Sequence, residues 1–447
     1  MAKSTQKAGL VEKSARNVVL HRVDRMKGEI IETLRKLVMT QSVNPRYPGV
    51  DVKKVLGGER DCNEYLKPIL ESFGCKTDLF EKAPKRTNLV GVLKGTGGGK
   101  SLILNGHIDT VPFGKLEDWK TKDPLSARIV GGRMYGRGST DMKSGDVAMI
   151  KAVEAIVKSG YRLKGDVIIT VVVGEETMDH ELGTTACIKR GYKADAAICT
   201  EPSAPPHRLG VVPITPGLWW MKIKVQGKMV HVGQRSELIR AGGGGKKVGV
   251  NALEKGIKII QALQELEQQW GISKKHPLFK LGFFSIHPGV IMGGPTGINI
   301  PFVVSDYCDI DYAIWYHPSE TPTQVKKEVE DYVFAACQLD DWLREKPPTF
   351  DWKLSWPPNS VPINHPITQT MVRAHEVTSG KPARFQGFHA ASDVTFLGRA
   401  GIPAIIYGPG DLTVAHAPDE HVETKEVIGA TKGLAHAIMD WCGYEKK

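Results

Sequence analysis

The chain has 447 residues, with 60 Lys+Arg against 49 Asp+Glu and a net charge of +11. At about 100–200 residues per domain, this length implies two or three domains with a substantial core. Hydrophobic residues at 41% and charged residues at 24% fit a soluble globular protein and exclude fibrous, disordered and membrane classes. The longest apolar run, Val167 to Val173, falls far short of the roughly 20 residues a membrane-spanning helix needs. The first thirty residues carry no continuous apolar stretch and no small-residue cleavage site, so no secretory signal is expected. Seven scattered cysteines without a C-x-x-C pair point to reduced thiols in a cytoplasm. Basic residues come in pairs such as Lys246-Lys247 and never in a run of five, which predicts a solvated surface and no nucleic-acid partner.

In chain order, short β-branched runs alternate with helical patterns through the first two hundred residues. Asn88 to Leu93, Ser101 to Asn105, Val167 to Val173 and Ala196 to Thr200 read as strands, and Ser144 to Lys158 carries apolar residues at helical spacing. This is α/β patterning with a largely buried sheet. After Pro205-Pro206 the texture changes. Leu218 to Gln226 alternates as a half-exposed strand, Asn251 to Trp270 is a long amphipathic helix, Ser305 to Ile314 is a second strand, and Thr321 to about Arg344 is a charged helix. Two strands and two helices make a small α+β insertion. Prolines 357, 358, 362 and 366 read as a return linker, followed by a helix over Thr368 to Thr378 and a buried strand at Ala404 to Tyr407. The expected architecture is a discontinuous α/β domain, residues 1–211 and 357–447, with a mostly parallel sheet flanked by helices and interrupted by a smaller domain at 212–356.

Two stretches imitate motifs without their chemistry. Lys94 to Ser101 ends like a P-loop but lacks its first glycine and precedes a strand, so a turn is expected. His180-Glu181 lacks the second histidine of H-E-x-x-H. What terminates each apolar strand is more informative: Gly106-His107-Ile108-Asp109, Gly174-Glu175-Glu176, Glu201-Pro202, and Gly-Pro-Gly followed by His416. Ligands of open α/β sheets bind beyond the carboxyl ends of the strands, so these groups converge on one rim, joined by Asp141 from a glycine-rich loop. Each alone has an ordinary reading: a satisfied loop histidine, a helix-start carboxylate, a solvated turn. Together, unpaired carboxylates at close range destabilise one another, and a cation removes the conflict. Two imidazoles with several carboxylates suit zinc, manganese or cobalt, and the number of ligands suggests two ions.

Taken together, Ser42-Val-Asn-Pro45, Asn105 to Pro112, Tyr135 to Gly145, Gly174-Glu-Glu176, Thr200 to Ser203, Tyr407-Gly-Pro-Gly and Ala415 to Glu420 resemble the M20 metallopeptidases in order and spacing. The resemblance implies a catalytic domain carrying a lid that also forms a homodimer, with Asn251 to Trp270 among its helices. It implies two divalent ions bridged by Asp141, with His107 and Glu201 completing one site and Glu176 and His416 the other. Asp109 would orient the His107 imidazole. Glu175 would be the general base on a water the ions acidify, its side chain opposed to that of Glu176 along an extended segment. His231 in Gly227 to Gly233 would stabilise the oxyanion. Asn299 and Gly408 are the candidate substrate contacts.

The chain departs from the family's pattern where amino-acid substrates are gripped. Asn299-Ile-Pro301 is one residue short of Asn-x-x-Pro, Asp309 to Tyr316 holds no arginine, and none follows Asp393 by two. A cation from Arg240 to Lys247 is one substitute, and Trp219, Trp220, Trp315 and Phe388 are candidate pocket residues. The expected function is hydrolysis of an amide-type C–N bond in a small molecule, as a deacylase of N-acyl amino acid-like compounds or a peptidase. The alternatives are a deaminase or ureide-type hydrolase using the same ions, and, remotely, a non-catalytic binding protein.

Overall fold

The computed structural model describes residues 15–204 and 207–447; Pro205-Pro206 and the first fourteen residues of the stretch expected to lack a signal lie outside them. The chain divides into two compact units, one running to Ile214 and resuming over Ser360–Lys447, the other Thr215–Asn359.

The first unit is built on a nine-stranded sheet. Its strand order is Lys76–Ala83, Arg86–Leu93, Val167–Val172, Leu102–His107, Ala196–Cys199, Ala404–Ile406, Val211–Thr215 and Asn359–Ser360, with Phe385–Gly387 also paired to Val211–Thr215. The four central strands are parallel, in register from Leu102↔Val167 to Ile406↔Cys199. Antiparallel partners flank them on both sides. These short runs are mostly apolar and buried at every position because both faces are covered. Leu102, Leu104, Val167, Ile169, Ala196 and Ile198 join one core, with helices Lys27–Met39, Lys143–Lys158 and Thr424–Cys442. Their alternates Ile103, Ile168, Ala197 and Cys199 join another, with Cys187, Val394 and Leu397. Parallel pairing also fixes chemistry, since every central strand delivers its carboxyl end to the same edge.

The second unit carries four strands where two were expected. An antiparallel sheet orders Ser285–Gly294, Tyr307–Tyr316, Gly217–Gln226 and Thr349–Trp356, and helices Ala252–Ser273 and Pro322–Cys337 bury their apolar stripes against it. The charged helix stops at Cys337. Asp340 then caps a separate helix, Asp341–Glu345, by accepting from the Trp342 and Leu343 amides. No helix among the described residues is long and apolar enough to cross a membrane, and all seven cysteines are buried and free.

Candidate metal centre

His107 ends a central strand and is 1% exposed. Its Nε2 faces Asp141 Oδ1 at 3.3 Å, with Glu175 Oε2 and Glu201 Oε1 each at 3.7 Å. The other oxygen of Asp141, Oδ2, faces His416 Nε2 at 3.2 Å, and the same nitrogen stands 3.1 Å from Glu176 Oε2. Asp141 therefore divides its two oxygens between two imidazoles, each backed by further carboxylates. Ligand atoms of His107, Asp141 and Glu176, and of His107, Glu175 and Glu201, lie within 4.8 Å of one another.

The electrostatics of this cluster are unresolved by protein atoms alone. Burial, then the neighbouring carboxylates, pushes Glu175 and Glu201 well above the usual carboxyl range even against the attraction of His107. Burial and the charge of Asp141 push Glu176 up to about 7. Burial alone would raise Asp141 and depress both histidines. Their mutual pairing outweighs it, holding Asp141 down, His107 well up and His416 up to about 11. Two buried atoms, His107 Nε2 and Glu176 Oε1, have no hydrogen-bond partner, a costly condition unless something else is bound there. A nitrogen-and-oxygen donor set with orphaned atoms aimed inward fits divalent cations.

Three expectations change in detail. His107 Nδ1 pairs with the backbone carbonyl of Asp109 at 3.0 Å, while the Asp109 carboxylate is 3.8 Å away. That carboxylate instead accepts from the amides of Gly174 at 2.9 Å and Glu176 at 3.2 Å, so it shapes the glutamate segment. The segment is a turn rather than extended chain, closed by Met178 N to Glu175 O at 2.7 Å and entered through Gly174 at φ +92. Glu175 and Glu176 diverge because the backbone turns between them. Gly408 is buried, and a Cβ there would lie 2.0 Å from the Thr200 carbonyl and 2.6 Å from that of Glu201. Its glycine lets the 407–410 segment pass the end of the Glu201 strand.

His231 and Asn299 belong to the second unit and are exposed. His231 Nδ1 accepts from the Gly233 amide at 3.0 Å, so in the neutral ring the proton sits on Nε2, free to donate. Asn299 lines an open groove of about 880 Å³ between Gly293–Pro301 and Asn251–Glu254. The cations expected to replace the missing arginine are largely engaged: Arg240 pairs with Glu237 at 2.8 Å, and Lys246 with Glu345. Trp315 packs near Phe283, and Trp219 against Trp352 at 4.9 Å, within the second unit's own aromatic clusters. Trp220 is 46% exposed and Phe388 lies in the core beside Val394.

Several residues of the centre carry no motif of their own. Glu420 accepts from the Thr140 and Asp141 amides at 3.0 and 3.2 Å, and its partner Arg137 donates to the His416 carbonyl at 3.2 Å. This buried pair ties the Asp141 loop to the His416 loop. Tyr47 is half-buried, and burial together with the charges of Glu176 and Glu175 pushes its phenol up to about 12, so it remains a donor. Both Arg137 and Glu420 stand inside the stretches that resemble the M20 pattern; position alone gave them no role.

Comparisons with known proteins identify the family. A sequence model of peptidase family M20/M25/M40 matches residues 103–440. N-formyl-4-amino-5-aminomethyl-2-methylpyrimidine deformylase of Halalkalibacterium halodurans is 34% identical over 439 residues, covering 96% of this chain and 98% of that protein. The deformylase of the same name from Bacillus subtilis is 35% identical over 437 residues, covering 95% and 97%. The crystal structure of Bacillus subtilis YXEP, described as a dinuclear metal binding peptidase from the M20 family, shares the fold at a TM-score of 0.63 and 13% identity, covering 93% and 98%. The chain belongs to peptidase family M20/M25/M40.

Proposed function

We propose that this M20 amidohydrolase is a deformylase that hydrolyses the formamide of an N-formylated aminomethylpyrimidine, releasing formate and the free amine. The observation that carries the reading is end-to-end similarity to two deformylases of that substrate, at 34% and 35% identity. The strand Tyr307–Tyr316 supports it: a substrate without an α-carboxylate needs no arginine there, and the strand has none.

The residues proposed to hold two divalent ions are His107, Asp141 and Glu201 on one side and Glu176, Asp141 and His416 on the other, with zinc preferred and manganese or cobalt also suited to the donors. When bound, the ions neutralise the carboxylates, polarise the amide carbonyl and lower the pKa of a nearby water. Glu175 takes the proton of the attacking water, whose oxygen bonds to the formyl carbon. The C–N bond then breaks, and Glu175 returns the proton to the leaving nitrogen. His231, with its proton on Nε2, is the proposed oxyanion donor, a role worth roughly 2.7–4 kcal/mol of barrier in comparable sites. We further propose a cytoplasmic homodimer joined through the second unit. The test is formate release from N-formyl-4-amino-5-aminomethyl-2-methylpyrimidine by the metal-loaded protein. Turnover well above that on N-acetyl and N-succinyl amino acids is expected; the reverse preference overturns the substrate.

A further inference from the structure

Asn44 is fully buried, yet it lies in the loop between the helices Lys27–Met39 and Val52–Val55, far in sequence from every group of the centre. Its Nδ2 donates to two acceptors, Asp109 Oδ2 at 2.8 Å and Thr177 Oγ1 at 2.9 Å. Its Oδ1 accepts the Arg46 amide at 3.0 Å, and its own amide reaches the Thr110 carbonyl at 2.9 Å. Both N–H groups and the oxygen of this amide side chain thus have partners inside the protein.

Its partners explain why that matters. Asp109 holds the Gly174 and Glu176 amides, and Thr177 in turn donates to Asp179 Oδ2 at 2.9 Å. Asp179 closes the turn through its own amide to the Gly174 carbonyl at 2.6 Å and is paired with Arg46 at 2.6 Å. Residues 174, 176, 177 and 179 are each fixed, which leaves the Glu175 and Glu176 side chains as the only acidic groups of the turn directed to the cluster. Asn44 thus bridges Asp109, which holds the first half of the turn, to Thr177 in its far half.

We propose that Asn44 and Thr177 are positioning residues, a clamp that sets the Gly174–Asp179 turn and through it the placement of Glu175 and Glu176. The inference rests on the proposed roles of those two glutamates. It is tested in the full chain with Thr177→Val, which keeps the shape and removes the hydroxyl, Thr177→Ser, which restores it, and Asn44→Ala. Outer partners of metal ligands typically carry about 10–100-fold in affinity or activity. Thr177→Val is expected to lower kcat about tenfold with KM nearly unchanged, to weaken one of two Mn²⁺ ions about tenfold by calorimetric titration, and to leave the melting temperature unaltered. Thr177→Ser should match the parent in both readouts. Asn44→Ala should reproduce the loss, and the double variant should be no worse than the poorer single one, as for members of one network. Parent-like Mn²⁺ binding and kcat in Thr177→Val, a serine variant as impaired as valine, or additive losses would overturn the clamp. If the parent chain releases no formate, the substrate assignment fails while the Mn²⁺ titration still decides the clamp.

Discussion

Glu175 and Glu201 stand at the same 3.7 Å from His107 Nε2, so distance alone does not divide base from ligand. Exposure accords with the proposed division, since the Glu175 side chain is 13% exposed and that of Glu201 only 4%. A group that exchanges protons with substrate needs the more open position. Glu175→Gln is therefore expected to lower kcat by about 10²–10⁴-fold, the range for a lost general base, with both ions retained by elemental analysis. Loss of one ion in that variant would make Glu175 a ligand instead. At this scale the sequence was most legible where chemistry sits at strand ends: His107, Asp141, Glu175, Glu176, Glu201 and His416 all converge. Asn44, Thr177 and the true partners of Asp109 were not legible, because they depend on which amides a turn happens to present. For Gly408 the structure adds a packing reason the sequence did not show, the close approach of its backbone to the Thr200 and Glu201 carbonyls.

Among the elements, the central strands were readable because burial on both faces leaves nearly continuous apolar runs, and the helix Lys143–Lys158 because its apolar residues recur at helical spacing. The strand Thr349–Trp356 was not, although Phe350, Trp352 and Leu354 alternate, since flanking prolines imitate a linker and only pairing with Gly217–Gln226 makes it a strand. The long charged helix was overextended across Asp340, whose role is tertiary. Asp340 Oδ2 accepts from Lys255 at 2.7 Å and Lys258 at 2.5 Å, fastening the short helix to Ala252–Ser273. Burial alone would raise this carboxyl, but those bonds and the Leu343 amide outweigh it and hold it below its usual range. A depressed folded pKa stabilises fully above the unfolded value of about 3.9, and the contribution fades as pH falls through the lower folded value. Asp340→Asn should thus destabilise the second unit by roughly 1–3 kcal/mol at pH 7, with the gap from the parent closing below about pH 4. Urea unfolding followed by tryptophan fluorescence reads this unit, which holds every tryptophan except Trp119 and Trp441. A gap that persists unchanged in acid would sink the account.

For the molecule as a whole, the interrupted α/β chain was legible from the change of pattern after residue 206 and the prolines from 357 to 366, whereas the substrate was not, since the chain lacks the arginine that the resemblance would have offered as a guide. The +11 charge proved uninformative about partners; the charge that matters is the negative cluster around His107. Ligands that bind only the folded state stabilise it, by about 2.7 kcal/mol at a hundredfold excess over Kd. Chelation should accordingly lower the melting temperature by several degrees, and zinc or manganese should restore it; an unchanged melt would argue against bound ions. The two imidazoles differ sharply in access. His107 is 2% exposed in its side chain, while His416 is 51% exposed on a loop residue with left-handed backbone at φ +62. Removal of the ions should then be a two-stage event, with the His416 position emptied first and refilled fastest. The proposed centre would then have one retentive and one exchangeable berth, and stopping chelation after the first stage and adding a different ion should give a mixed-metal form, read by elemental analysis.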